Sequence, residues 1–127
     1  MIKVGSQVKL NMHEINRLYR AQTQALEQTG EALRTEVVQQ QVMPFDTGNL
    51  QNESTFVDFR QSANGKVSIV SNTPYARRLY FHPEYKFSKD ENPNAKGEWY
   101  EDYVPGGKYD TFAQNAYKEL FRRIAGL

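Results

Sequence analysis

The chain has 127 residues, 39% of them apolar and 24% charged, which fits one globular domain with a modest core. Sixteen Lys and Arg against fifteen Asp and Glu leave a net charge of +1, so no broad positive field exists to hold nucleic acid. There is no cysteine, hence no disulfide framework and no thiolate chemistry, and there is no apolar run of about 18 residues that could cross a membrane.

The opening MIKVGSQVKL alternates weakly through Ile2, Val4, Val8 and Leu10, which suggests a short strand or an ordered arm. It is too short and too polar for a signal peptide, so a protein made in a cytoplasm is expected. From about 11 to 43 the pattern becomes helical. Ile15, Leu18, Tyr19, Leu26, Leu33 and Val37 recur at steps of three, four or seven and share one face. Asn11 with Glu14 three residues on has the form of a capping box. Pro44 disfavours helix at Met43 and should end the element there. A helix of ~30 residues is ~45 Å long, while a domain of this size is only roughly 36 Å across. The helix should therefore overhang the domain or break, and Gly30 is the expected place for a break or bend.

Asp46-Thr47-Gly48 follows, a tripeptide also found in the nucleophile loop of aspartic proteases. Such an enzyme needs two carboxylates sharing a proton, each delivered by a buried apolar strand. Here the tripeptide follows Gln39-Gln40-Gln41-Val42-Met43-Pro44-Phe45, and no glycine-rich flap is present. Turn chemistry accounts for it more simply. Pro44 fixes one φ angle, Asp46 can accept from backbone amides two or three residues on, and Gly48 can take positive φ.

Two strands are expected next, Ser54–Phe59 and Lys66–Ser71, within a hairpin over about 53–71 whose turn is marked by Asn64-Gly65. Thr73-Pro74 then caps a short helix over Tyr75 to Tyr80. A long aromatic loop, about 82–108, follows His82-Pro83. Nine of the sixteen aromatics lie between Tyr80 and Phe112, and Tyr85–Phe87 and Trp99–Val104 have the composition of paired strands. Long ordered loops of this kind are often functional. A C-terminal helix over about 109–125 completes the chain, with Asp110 or Thr111 as cap and Gly126 as stop. The fold class is α+β: a long N-terminal helix, a small antiparallel sheet and a C-terminal helix.

Little here supports catalysis or ligand chemistry. His13 and His82 have no metal-like neighbours, and no nucleophilic triad or phosphate-cradling glycine loop is present. No catalytic residue, cofactor or metal is therefore expected. The one basic and aromatic patch is Tyr75, Arg77, Arg78, Tyr80 and Phe81. With Trp99, Tyr100 and Tyr103 of the loop it forms a candidate interface, since Arg and Tyr are favoured at protein contacts. Contact of Arg77-Arg78 with a phosphate backbone is the alternative. Solvated arginines over a packed Tyr and Leu79 would be the purely structural outcome.

The order of these features resembles the small minor capsid and head–tail joining proteins of tailed bacteriophages and prophages, the tail-completion or neck proteins. In that group a Pro-x-Asp-Thr-Gly-x-Leu turn precedes the sheet and Tyr-Ala follows it. Here those positions are Pro44, Asp46, Thr47, Gly48 and Leu50, then Tyr75 and Ala76, within a match spanning about 11–127. The resemblance implies a structural turn at Pro44–Leu50, no enzymatic activity, and assembly as a homo-oligomeric ring. Its partners would be further copies of itself, portal or head-completion proteins and the tail-tube protein, without membrane and without nucleic acid as the main partner. Its place would be the virion, at the head–tail junction, after synthesis in the bacterial cytoplasm. The insertion from His82 to Lys108 departs from the shorter members of the group. A small adaptor module contacting nucleic acid and an aspartic peptidase stand as the second and third readings.

Overall fold

The computed structural model describes Gly5, residues 10–45 and residues 49–127. The expected N-terminal strand or arm falls almost wholly outside these residues, as do Asp46, Thr47 and Gly48 of the expected turn. The element order is α1 (Met12–Gln39), β1 (Thr55–Asp58), β2 (Ser68–Ser71), α2 (Ala76–Tyr80) and α3 (Phe112–Ala125). The fold is α+β.

Helix α1 starts where its cap predicts. Asn11 Oδ1 accepts from the Glu14 amide at 3.1 Å. The reciprocal half of a capping box is absent, because the Glu14 carboxylate accepts from Arg17 Nε at 3.0 Å instead. Arg17 also reaches the end of the chain, where Nη1 donates to the Ala125 carbonyl at 2.8 Å. That bond pins the last turn of α3 to the second turn of α1, and the two helices pack along each other in opposite directions.

Two expectations for α1 need correction. The helix does not break at Gly30 but runs through it for 28 residues, about 42 Å. It also ends at Gln39, short of Met43. Gln41 turns the chain with a φ of 56°, a left-handed backbone conformation that side chains other than glycine seldom adopt. The stop is therefore made three residues before Pro44. The buried stripe differs too. It runs through Ala21, Ala25, Thr29 and Val37, with Gly30 beside it, while Tyr19 is 65% exposed. Small side chains fill it because neighbouring elements come close. The hydroxyl of Thr29 donates to the Ala25 carbonyl at 2.7 Å, which satisfies the only polar side chain in the stripe.

Strands β1 and β2 pair antiparallel, with Thr55 opposite Ser71 and Val57 opposite Ile69. Thr55 and Val57 face inward and are buried, while Phe56, opposite Val70, is 42% exposed on the outer face. Gly30 explains how the sheet lies on α1. A Cβ there would stand 2.7 Å from Val67 Cγ1 and 2.8 Å from Val57 Cγ1. The glycine is a packing requirement rather than a helix breaker. The hairpin connection is longer than a two-residue turn. It holds a 3₁₀ turn, Ser62–Asn64, closed by Gly65 at φ 84°. Ser62 Oγ donates to Glu27 Oε2 at 2.7 Å and fastens the tip to α1. At its shoulder Asp58 accepts from the Arg60 guanidinium and backbone amide, which holds its carboxyl down at about 2.

Residues 82–108 contain no strand. The expected pairing of Tyr85–Phe87 with Trp99–Val104 is replaced by turns and a 3₁₀ turn at Glu101–Tyr103. The backbone bonds to other elements and across its own turns instead. Lys96 N donates to Val42 O at 2.9 Å, Glu98 N to Tyr80 O at 2.8 Å, and Tyr109 N to Asp102 O at 2.6 Å. The core lies beneath this segment. Trp99, Met43, Val37 and Val42 are buried together, and Leu33, Leu50, Leu79, Tyr80, Tyr100 and Tyr103 pack around them.

Helix α3 begins at Phe112, three residues later than expected, without a side-chain cap from Thr111. Asp110 accepts from the Gly106 amide at 3.3 Å rather than capping the helix. The end is as expected. Gly126 takes φ 73°, and Leu127 N donates back to Arg122 O at 2.8 Å.

Gly30→Ala gives the sharpest test of this packing. Helix propensity alone would add about 1 kcal/mol of stability. Overlap with two valine methyls should outweigh it and lower stability by about 1–3 kcal/mol in urea unfolding. An unchanged or raised unfolding midpoint would contradict the contact.

Candidate interaction surface

The short helix α2 carries most of the candidate interface, and its position is set from both ends. Thr73 Oγ1 accepts from the Ala76 amide at 2.8 Å and starts the helix. At the other end the Tyr80 carbonyl is taken by Glu98 N. Gly97 makes that approach possible, since a Cβ there would lie 2.8 Å from Pro83 Cα and 3.0 Å from Leu79 O. Ala76 is buried and Leu79 packs on the core, so α2 has an inner side made of these two residues.

Tyr75, Arg77, Arg78 and Phe81 are exposed, Tyr75 to 68% and Phe81 to 61%. The arginines are ordered by aromatic rings. Arg77 lies over Phe81 at 6.0 Å and Arg78 over Tyr85 at 5.9 Å, with Arg78 Nε donating to the Tyr85 hydroxyl at 3.3 Å. Tyr85 in turn stacks on His82, the ring centroids 4.7 Å apart and nearly parallel. His82 Nδ1 sits 2.7 Å from Glu84 Oε1. Among the described residues neither Arg77 nor Arg78 has a carboxylate partner. Beside this strip runs an open groove of about 890 Å³, whose apolar wall includes Pro44, Phe45, Leu50, Tyr75, Leu79 and Phe87.

The remaining candidates lie elsewhere. Trp99 is fully buried, so it is a core residue and not a surface one. A Trp ring is the largest apolar body in the chain, and the end of α1 offers it Val37 and Met43 to pack against. Tyr100 and Tyr103 are half-buried on the same core. Tyr100 closes a hydroxyl relay: its hydroxyl is 2.6 Å from Ser71 Oγ, which is 3.0 Å from Thr55 Oγ1, which donates to Leu50 O at 2.6 Å. Tyr80 joins the two groups. Its ring meets Trp99 edge-on at 4.9 Å and Phe81 at 5.1 Å, and its hydroxyl donates to Glu101 Oε1 at 2.7 Å. Burial, and then the Glu101 carboxylate, push the Tyr80 phenol well above its ordinary value. Tyr103 is raised in the same direction by burial and by the nearby Glu36 carboxylate.

Pro44 and Leu50 flank the expected structural turn, and both flanks are clamped. Asn92 is buried, and its amide donates to Met43 O at 2.8 Å and to Gln51 Oε1 at 2.9 Å. Arg34 of α1 donates to Thr55 O at 2.9 Å and to Gln51 O at 3.2 Å across a π-helical turn at Asn49–Glu53. Sequence reasoning missed both residues. An Asn between Glu91 and Pro93 reads as a turn former, and an Arg on a long helix reads as a solvated charge. Their partners lie 17 to 49 residues away, so no local pattern marks them.

Among the described residues no group of three His, Cys, Asp or Glu could hold a metal ion. Comparisons with family models, curated proteins and solved structures gave no significant match.

The Asn92 clamp can be tested directly. Asn92→Ala leaves the Met43 carbonyl buried without its donor and should lower stability by about 1–3 kcal/mol in urea unfolding. Asn92→Asp should be at least as damaging, because it replaces a donor by a buried charge. Wild-type stability in both variants would remove the clamp from the account.

Proposed function

We propose that this chain is a non-enzymatic structural protein of a phage or prophage virion, a head–tail connector or tail-completion component that assembles as a homo-oligomeric ring. The observation that carries this reading is the exposed strip of Tyr75, Arg77, Arg78 and Phe81, held on a helix fixed at both ends beside an apolar groove. Such a strip loses little side-chain freedom on binding, because its arginines already rest on rings. Tyr and Arg are also the residues that most often dominate contact energies. The order of motifs supports the same reading: a long polar helix, Pro-x-Asp-Thr-Gly-x-Leu, a hairpin, then Tyr-Ala. The hairpin adds a second surface suited to a neighbour. A two-stranded sheet is marginal by itself, and Phe56 stands half-exposed on its outer face. Neighbouring copies, portal or head-completion proteins and the tail tube would supply the partners.

One observation favours a second reading. The two adjacent arginines lie over aromatic rings and have no carboxylate partner among the described residues, which also suits a nucleic-acid backbone. The balanced net charge argues against this as the main activity.

Native mass spectrometry at high protein concentration separates the two. The wild type should form a closed oligomer, alone or with portal or tail-tube protein. Tyr75→Ser with Phe81→Ser should remove that oligomer while circular dichroism stays unchanged. A strict monomer that binds neither protein would contradict the connector reading. Salt-sensitive binding of short DNA, lost in Arg77→Gln with Arg78→Gln, would favour the second.

A further inference from the structure

A separate cavity of about 440 Å³ opens beside the C-terminal end of α1, and no residue of α2 lines it. Its walls include Lys89, Lys96, Lys108, Asn94, Asp102 and Tyr103. The composition of the wall is unexpected given the sequence. Residues 89–110 carry three basic and six acidic side chains. All three lysines line the cavity, and of the six acids only Asp102 does. The Asp102 carboxylate is already engaged by Lys96 Nζ at 2.7 Å. Other acids of the segment are turned to other partners: Glu101 accepts from Tyr80 and Asp110 from the Gly106 amide. Folding has sorted an acidic segment so that its cations meet around one space.

Two lysines there have spare donors. Among the described residues Lys89 and Lys108 have no carboxylate partner, and Lys108 Nζ instead lies 5.2 Å from the Tyr109 ring centre. Tyr103 also lines the cavity, with its hydroxyl buried beside the Glu36 carboxylate. The carbonyls at the end of α1 do not use up these donors, since Asn94 Nδ2 takes Gln40 O at 2.9 Å and Lys96 N takes Val42 O.

We propose that this cavity binds a phosphate-type oxyanion through Lys89, Lys96 and Lys108, with Asn94 and Tyr103 as neutral polar neighbours. Ammonium groups bind phosphate as point charges, and charge-assisted bonds of this kind are the stronger class. The volume exceeds one phosphate and falls within the range of small-ligand sites, so a pyrophosphate or a phosphate ester fits the space. The site is independent of the α2 strip and of the connector reading.

The test is a ¹H–¹⁵N titration of the full chain with inorganic pyrophosphate, at ionic strength held constant with sodium chloride. Saturable shifts should be confined to amides of the cavity wall, at residues 40–42, 89, 93–96 and 102–109. Lys89→Gln with Lys108→Gln should weaken binding about tenfold or more while the rest of the spectrum stays unchanged. A short single-stranded oligonucleotide that moves the same amides at lower concentration would assign the phosphate to a polymer backbone. Pyrophosphate acting alone would assign it to a free ligand, and either result keeps the site. The proposal is overturned if no saturable shift appears by about 10 mM, or if the double variant binds as the wild type does.

Discussion

Burial of Trp99 is the interaction on which the rest of the structure depends. Its ring is fully enclosed, against Val37 at the end of α1 and Met43 just beyond it. A Trp side chain removes about 150–250 Å² from water, which is ~4–6 kcal/mol of transfer free energy. Among the described residues its indole N–H has no acceptor, and an unpaired donor costs about 1–3 kcal/mol of that gain. The net effect still draws the 82–108 segment onto the end of the long helix. Once Trp99 is seated, Lys96 N can reach Val42 O and Asn92 can reach Met43 O and Gln51. The segment is long and irregular, yet it encloses the core.

That enclosure sorts the aromatic residues by role. Trp99, Tyr100 and Tyr103 are drawn inward, and Tyr80 bridges inside and outside through edge-on contacts with Trp99 and Phe81. Tyr75, Phe81, Arg77 and Arg78 remain on the surface as one strip. Rigidity reaches this strip from the core, through Leu79, Gly97 and the Glu98 to Tyr80 bond. A surface strip tied to the core at several points loses little side-chain freedom if it is covered.

Much of the fold was legible because its signals are local. Asn11 marked the start of α1, Gly126 marked the end of α3, and the alternating residues around Asn64-Gly65 marked the hairpin. Two of the differences share one physical origin, packing against residues distant in sequence. Gly30 was read by its helix propensity, but its role is set by Val57 and Val67 of the hairpin. Trp99 to Val104 was read by β-propensity, but burial of one ring overrode it. The stop at Gln41 depends on a left-handed residue that no composition rule singles out. At the candidate site, the exposed strip could be read from adjacent residues. The Asn92 and Arg34 clamps and the gathering of Lys89, Lys96 and Lys108 could not, since each joins residues distant in sequence.

The claim that the core lies beneath the 82–108 segment has a direct probe, because Trp99 is the only tryptophan. Its fluorescence should be measured with acrylamide and iodide as quenchers, in the native protein and in urea. The account predicts blue-shifted native emission with almost no iodide quenching, and a red shift with full quenching only across the cooperative unfolding transition. Native emission at the wavelength of solvated indole, quenched by iodide as in urea, would contradict it.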